Sequence, residues 1–258
     1  MQKKIKKNKL PKISIITVVL NGEKTIKRCI KSVINQSYPS QKVEHIIIDG
    51  DSKDRTLSII RKYKNKIAFW QSKKDRGLYD AMNIGLNRCT GNIIGILNCD
   101  DYFRKDALKI VSEYFLNFKI DYLFGSVKKD RIYHNFFPKK LWYSFNIYPS
   151  HSVSFFIKKK AHKRIGKYNL KFKYSADRDL IYRLINKSDL KGLATKKNEV
   201  LGTFNMHGLS SKVSIFMKFY EEIKIRLSNN ENIFQVFIIF ITFLIYYSFK
   251  TIIKKISK

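Results

Sequence analysis

Residues 95–101 read Gly-Ile-Leu-Asn-Cys-Asp-Asp, an apolar run that ends in Asn98, Asp100 and Asp101. The run has the character of a buried strand, so two adjacent carboxylates stand at its end, and they need a counter-charge. A hard divalent cation, Mg2+ or Mn2+, supplies one, because Mg2+ usually takes one or two carboxylates and completes its shell with phosphate oxygens and water. These residue types therefore suit a metal that bridges to a nucleotide diphosphate. Three more polar clusters follow strand-like runs: Thr17 through Asn21, Asp49 with Gly50-Asp51-Ser52-Lys53-Asp54, and Lys74-Asp75-Arg76-Gly77. Each alone is equally a turn or a helix cap. Four at the ends of parallel strands would line one cleft.

The elements that must position them alternate. Ile13–Val19 is β-branched and apolar, and Ile26, Cys29, Ile30, Val33 and Ile34 then recur at helical spacing. Strands are expected again at 44–50, 67–72 and 91–97, with helices at 54–63 and 78–89 between them. Residues 105–118 continue as a helix and 121–127 as one further strand, while 128–149 is aromatic and irregular. This order predicts an α/β fold, a Rossmann-like and mostly parallel sheet flanked by helices. Ligands of such sheets bind at the carboxyl ends of the strands. No internal repeat divides the chain.

The chain has 52 Lys and Arg against 20 Asp and Glu in 258 residues, a net charge of +32, and 44% hydrophobic residues. The apolar share is enough for a substantial core. The charge favours polyanionic partners: nucleic acid, anionic lipid or phosphorylated substrates. Nucleic-acid binding would show basic residues interleaved with exposed aromatics on one surface. Here the acids gather at strand ends, so no nucleic acid is expected as partner. Cys29, Cys89 and Cys99 have neither disulfide-framework nor zinc spacing, which fits a reducing, cytoplasmic setting. Residues 1–12 read as a basic arm without a secretory signal's apolar core.

Residues 233–249 are almost uninterruptedly apolar and end in a lysine-rich stretch, yet fall short of the ~20 residues of a typical span. An apolar helical tail over 212–258 is expected, lying on an anionic membrane surface or re-entering it. A full span, a buried core helix or a dimer helix is the alternative. Lysines beside it suit anionic headgroups.

The segments ISIITVVLN, IIIDGDSKDRT, KDRGLYDAMNIGL and ILNCDD, in this order, resemble the family 2 glycosyltransferases of the GT-A fold, in particular the bacterial branch that builds surface polysaccharides. The resemblance covers about residues 13–211, the expected catalytic domain being 1–211. It implies a metal-dependent inverting transfer from a nucleotide-diphosphate sugar, UDP foremost, to a glycan or lipid-linked acceptor at the inner face of the cell membrane. It places Thr17, Val19 and Asn21 beside the nucleotide, Asp49 on the base or ribose with Ser52 and Asp54, and Asp75, Arg76 and Gly77 in a neighbouring loop. Tyr79, Asp80, Asn83 and Gly85 lie on the helix that follows, with Asn83 counted among the nucleotide contacts. Asn98 and Asp100 occupy the metal motif, with Asn98 where the first acid usually stands, which leaves Asp100 as direct metal ligand. Asp177 in YSADRDLIYRL stands at the catalytic base, and Ala176 replaces the usual acid before it. Asp101, His151 and Asp179 fall on the acceptor side, and His207 in a loop near the diphosphate and metal. His45, His134 and His162 carry no such context.

Other readings follow from the same departures. With Asn98 and Ala176, the chain could be a catalytically silent module that binds nucleotide or anchors a complex. A nucleotidyltransferase would show a Gly-rich phosphate loop after the first strand, which VVLNGEK does not match.

Overall fold

The computed structural model describes residues 10–134, 136, 151–186, 188–205 and 213–256, with side chains to residue 247. A seven-stranded sheet forms its centre. Strands β1 (Ile13–Val19), β2 (Val43–Asp49), β3 (Phe69–Ser72) and β4 (Ile93–Ile96) are mutually parallel in the spatial order β4-β1-β2-β3. Each is joined to the next by a right-sized crossover: α1 (Ile26–Ile34), α2 (Thr56–Lys62) and α3 (Leu78–Arg88). Every residue of β1 is buried, as a central strand covered on both faces requires.

The side chains sort by alternation. Ile16, Val18, Ile46, Ile48, Ile94 and Ile96 face one layer, with Tyr79, Ala81 and Met82 of α3. Ile13, Ile15 and Ile93 face the other, with Cys29 and Val33 of α1. The period of two in the strands and the spacing of apolar residues in the helices therefore build two cores on one sheet.

Beyond β4 the sheet changes direction. β5 (Tyr102–Phe103) leads into α4 (Ala107–Asn117), then β6 (Tyr122–Phe124), β7 (Ser126–Lys128) and β8 (Ile132–Tyr133). Strand β9 (Phe155–Lys158) lies antiparallel between β4 and β6, and β10 (Gly192–Ala194) closes the edge beyond β6. β11 (Val200–Thr203) joins β5, β7 and β8 in a second sheet.

The single strand expected over 121–127 is thus two strands in two sheets. Gly125 marks the break: its N–H donates to the Ser154 carbonyl at 2.8 Å, and a Cβ there would lie 2.2 Å from Leu201. The expected third strand begins at Phe69 rather than Ile67, because Lys64–Lys66 first forms a 3-10 turn.

After β9 come α5 (Lys159–Ile165) and α6 (Ala176–Asn186), and after β11 come α7 (Ile215–Ser228) and α8 (Ile233–Ile256). The tail expected at 212–258 is two helices. α7 buries Phe219, Ile225 and Arg226, and its Phe219 ring stacks on Phe243 of α8 with centroids 3.5 Å apart. The apolar stretch of the sequence is therefore partly packed inward, through Val236, Ile239 and Phe243. Its other side, Phe234, Phe237, Ile238, Ile241, Leu244 and Ile245, is exposed. Among the described residues no helix is long and apolar enough to cross a membrane.

Candidate active site

The parallel strands bring their carboxyl ends to one edge, Val19 beside Asp49 and Asp49 beside Ser72. Asp49 is fully buried, and its carboxylate accepts the Ser52 N–H (3.1 Å), the Ser52 hydroxyl (2.5 Å) and the Ser72 hydroxyl (2.6 Å). The loops after β1 and β2 are stapled together. Asn21, at φ +50°, gives its N–H to Ser52 Oγ (2.7 Å) and accepts the Lys53 N–H on Oδ1 (2.8 Å). Asp54 accepts the Glu23 N–H (3.0 Å), and Thr56 Oγ1 accepts that of Gly22 (2.8 Å).

Asp75 lies over this edge: a Cβ on Gly50 would sit 2.9 Å from its Oδ2. Burial pushes the Asp75 carboxyl up, the Gly77 N–H (2.8 Å) opposes it, and Asp80 and Asp49 add to it. Gly77 adopts φ +111°, which glycine alone tolerates well, and turns the chain into α3. Arg76 is held in an exposed pair with Asp80 (3.0 Å). Acceptors of this kind at the ends of β2 and β3 suit the hydroxyls and N–H groups of a nucleoside.

At the end of β4, the Asp101 N–H closes a turn on the Asn98 carbonyl (3.0 Å) with Asp100 inside it. Asn98 Nδ2 donates to Ser152 Oγ (3.2 Å), while its Oδ1 is buried without a partner among the described residues. Asp101 is fully buried; Oδ1 accepts the Asn205 N–H (2.9 Å), and Oδ2 is likewise without a partner among the described residues. Burial and the neighbouring Asp100 push Asp101 to about 8, against the Asn205 N–H, Arg28 and Lys129. Burial also raises Asp100, and Arg28 opposes it. The Arg28 guanidinium donates to the Asp100 carbonyl (3.1 Å) over the Tyr102 ring. The two unpaired oxygens belong to Asn98 and Asp101, on either side of the half-buried Asp100 in sequence, and amide and carboxylate oxygens are donors of the type that hard cations take. Among the described residues, no group of three or more His, Cys, Asp or Glu is placed to hold a metal. The set is Asp100 and Asp101 with the Asn98 amide.

Asp177 stands in the first turn of α6, where its Oδ1 accepts the Arg178 N–H (2.9 Å) and lies 2.9 Å from the Tyr79 hydroxyl. Tyr79 follows Gly77 by two residues, so this contact ties α6 to the same sheet edge. Burial raises the Asp177 carboxyl, with Arg178 and Tyr79 opposing. A carboxyl raised above its ordinary value beside the donor edge is suited to accepting a proton.

Several expected site residues go elsewhere. Thr17 is buried, with Oγ1 3.0 Å from His45 Nε2, because inward alternation along β1 turns it into the core. Asn83 pairs with both the N–H and the carbonyl of Tyr168 (3.0 and 2.9 Å), a structural bracket between α3 and the segment before α6. Asp54 serves the loop staple. Asp179 is not an open acceptor-side acid: it is buried against Arg183 (2.8 Å) and accepts from Asn229 (3.1 Å). His151 by contrast stays at the border of the site: it stacks on Phe204 at 4.0 Å, next to Ser152 in sequence, and burial, helped by Lys129, lowers it to about 3. His207 lies outside the described residues.

The pattern reading missed Lys129 and Ser152. Lys129 Nζ lies over Phe204 at 4.6 Å, its positive charge acting on Asp101. Neither carries a motif: Lys129 reaches the site from the end of β7, past the strand switch at Gly125, and Ser152 from the 3-10 turn that leads into β9.

The family described as Glycosyl transferase family 2 matches residues 14–180, which include β1–β4 with their polar ends and Asp177. The chain belongs to this family. An uncharacterized glycosyltransferase of Mycobacterium tuberculosis is 34% identical over 184 residues, 67% of this chain and 68% of that protein. A poly(ribitol-phosphate) beta-N-acetylglucosaminyltransferase, TarS of Staphylococcus aureus, is 32% identical over 101 residues, 38% of this chain and 18% of TarS. In three dimensions this family 2 glycosyltransferase superimposes on the TarS 1–349 complex with UDP with a TM-score of 0.65 at 19% identity, covering 83% of the chain and 64% of TarS 1–349. A Pyrobaculum calidifontis mannosyltransferase complexed with GDP-Man and Mn2+ gives 0.59 at 18% identity, with 77% and 58% covered. These superpositions establish the GT-A fold, and the chain is a glycosyltransferase.

Proposed function

We propose that this glycosyltransferase is metal-dependent and inverting, and moves a sugar from a UDP-sugar to a glycan or lipid-linked acceptor in bacterial surface-polysaccharide synthesis. The observation that carries the reading is the pair of orphaned buried oxygens, Asn98 Oδ1 and Asp101 Oδ2, flanking Asp100 at the carboxyl edge. Asp100, with these oxygens, would hold Mg2+ or Mn2+. Such a cation supplies positive charge against the diphosphate as it leaves. The UDP complex of TarS and the Mn2+ complex of the mannosyltransferase support the choice of donor and metal.

Asp49, Ser52 and Asp75 would receive the nucleoside, and Asp177 would take the proton of the acceptor hydroxyl. The acceptor oxygen then bonds to the anomeric carbon as the bond to the diphosphate breaks, the electron pair leaving with the diphosphate and the configuration inverting. Within the catalytic region expected at 1–211, α6 brings the base to the donor edge. The tail beyond it would rest on the inner face of the membrane: residues 232–258 hold no acid and four lysines, and α8 turns an apolar face outward. Anionic lipid suits that pairing of apolar surface and positive charge.

Thermal stability with UDP, dTDP or GDP, each with and without Mn2+, tests the donor site beside Asp100→Ala. Stabilisation by UDP that needs Mn2+ and is lost in Asp100→Ala is the expected result. No shift with any nucleotide at saturation overturns the reading in favour of a silent module that only anchors a complex.

A further inference from the structure

Arg178 follows Asp177 on α6, but its guanidinium reaches another helix. Nη1 donates to Glu222 Oε2 of α7 at 3.0 Å. Glu222 is 1% exposed, and its other oxygen lies 3.4 Å from Nη2 of Arg226, which is completely buried. Arg226 Nη1 meets both oxygens of Glu231, at the junction of α7 and α8, at 2.9 Å, and Glu231 accepts the Tyr182 hydroxyl of α6 at 2.8 Å. Two arginines and two glutamates thus connect the residue beside Asp177 to the start of α8.

Desolvating charges of this kind costs several kcal/mol per ion, and apolar residues of the same volume often hold helices together as well or better. A purely cohesive role is therefore a poor account of the chain, and one of its ends is the immediate neighbour of the proposed base. We propose that Arg178 is a positioning residue for Asp177, held by Glu222, which makes α7 and α8 part of the catalytic apparatus. This rests on the reading of Asp177 as the base.

The groups around Asp177 come from three directions: Tyr79 of α3, Tyr168 of the segment before α6, and Arg178 of its own helix. Arg178 in turn pairs with Glu222 of α7, and its charge is felt by Lys218 of α7 and Tyr247 of α8. Arg178 is the cation whose field opposes the burial of Asp177. Its removal leaves the carboxyl harder to ionise, so the base form requires a higher pH.

The test compares kcat and KM against pH for the full chain with Asp177→Asn, Arg178→Ala, Arg178→Lys and Glu222→Gln, each checked by thermal melting. Arg178→Ala lowers kcat by about 10- to 100-fold, the scale of a small misplacement of a reacting group, with donor KM within about twofold. Its acidic limb moves to higher pH, and Arg178→Lys moves the limb back toward the parent. Glu222→Gln keeps the Arg178 charge but loosens its hold, so kcat falls by a smaller factor with donor KM within about twofold, and this decides the matter if Arg178→Ala does not fold. An unmoved limb in the folded Arg178 variants or an unchanged kcat in Glu222→Gln, with Asp177→Asn inactive, overturns the positioning role and leaves the base assignment standing. Full activity of Asp177→Asn overturns the base assignment and this inference with it.

Discussion

Tyr79 Oη lies 2.9 Å from Asp177 Oδ1 and 3.1 Å from the Tyr174 carbonyl, so one phenol proton ties the start of α3 to the start of α6. The hydrogen bond favours the ionised carboxylate, against the burial that disfavours it. Tyr79→Phe should therefore raise the Asp177 pKa further and move the acidic limb of kcat upward. Activity at pH 7 should fall a few-fold, whereas Asp177→Asn should lose about 10²- to 10⁴-fold, the usual contribution of a general base. A pH–rate profile of the two variants checks both.

Two glycines at the donor edge should fail in opposite ways. Gly50→Ala presses on Asp75 Oδ2, the movable end of a side chain, so stability should stay within about 0.5 kcal/mol while UDP affinity falls. Gly77→Ala meets no neighbour but must hold φ +111°, at a cost of about 1–3 kcal/mol. Urea unfolding together with UDP titration calorimetry separates strain from displacement.

Glu44 predicts an acid sensitivity away from the site. Burial pushes its carboxyl up, but Lys12, Ser14 and Thr90 together outweigh that and bring it to about 2, below the ordinary 4.5. A depressed folded pKa stabilises the fold above about 4.5, and that contribution disappears as pH falls toward 2. The stability gap between the parent and Glu44→Gln should be widest above pH 5 and shrink through this window, as read by unfolding at a series of pH values.

The outward face of α8 should govern lipid attachment. Phe234 is 75% exposed, Phe237 60% and Ile238 62%. Burying such side chains stabilises by about 1.5–3 kcal/mol each when complete. Changing all three to serine should lower binding to phosphatidylserine vesicles by at least about 10-fold, and salt should weaken the remainder. Vesicle co-sedimentation of the parent and the variant measures this; equal binding would exclude α8 as the contact.

The first half of the fold was legible because β1, β2 and β4 are rich in isoleucine and valine and each strand from β1 to β3 leads into its own helix, so local pattern and topology coincide. The polar strand ends were legible for the same reason, and Asp49, Asp75, Asn98 and Asp100 stand together along one edge. What could not be read depends on the chain leaving that regime. Gly125 splits one apolar run between two sheets, which brings Lys129 and Asn205 to Asp101. Thr17 and Asn83 sit in site-like segments, yet period-two alternation and the Tyr168 backbone turn them inward. Asp179 looked like the companion of Asp177, but two residues along a helix is a rotation of roughly 200°, which points the second acid to Arg183 and α7.

Strand β9 has a bearing on how the chain is made. It covers β4 on the side away from β1, yet it is translated about 60 residues after β4, which at ~5–20 residues per second leaves that edge bare for roughly 3–12 s. During this interval the nascent four-stranded half carries the unpaired backbone of Ile93–Ile96, an apolar edge of the kind that pairs with other chains. The vulnerable species in the life of this enzyme is accordingly a half-synthesised one on the ribosome, and slow translation upstream of Phe155 or a shortage of chaperone would lower its yield without touching the finished protein.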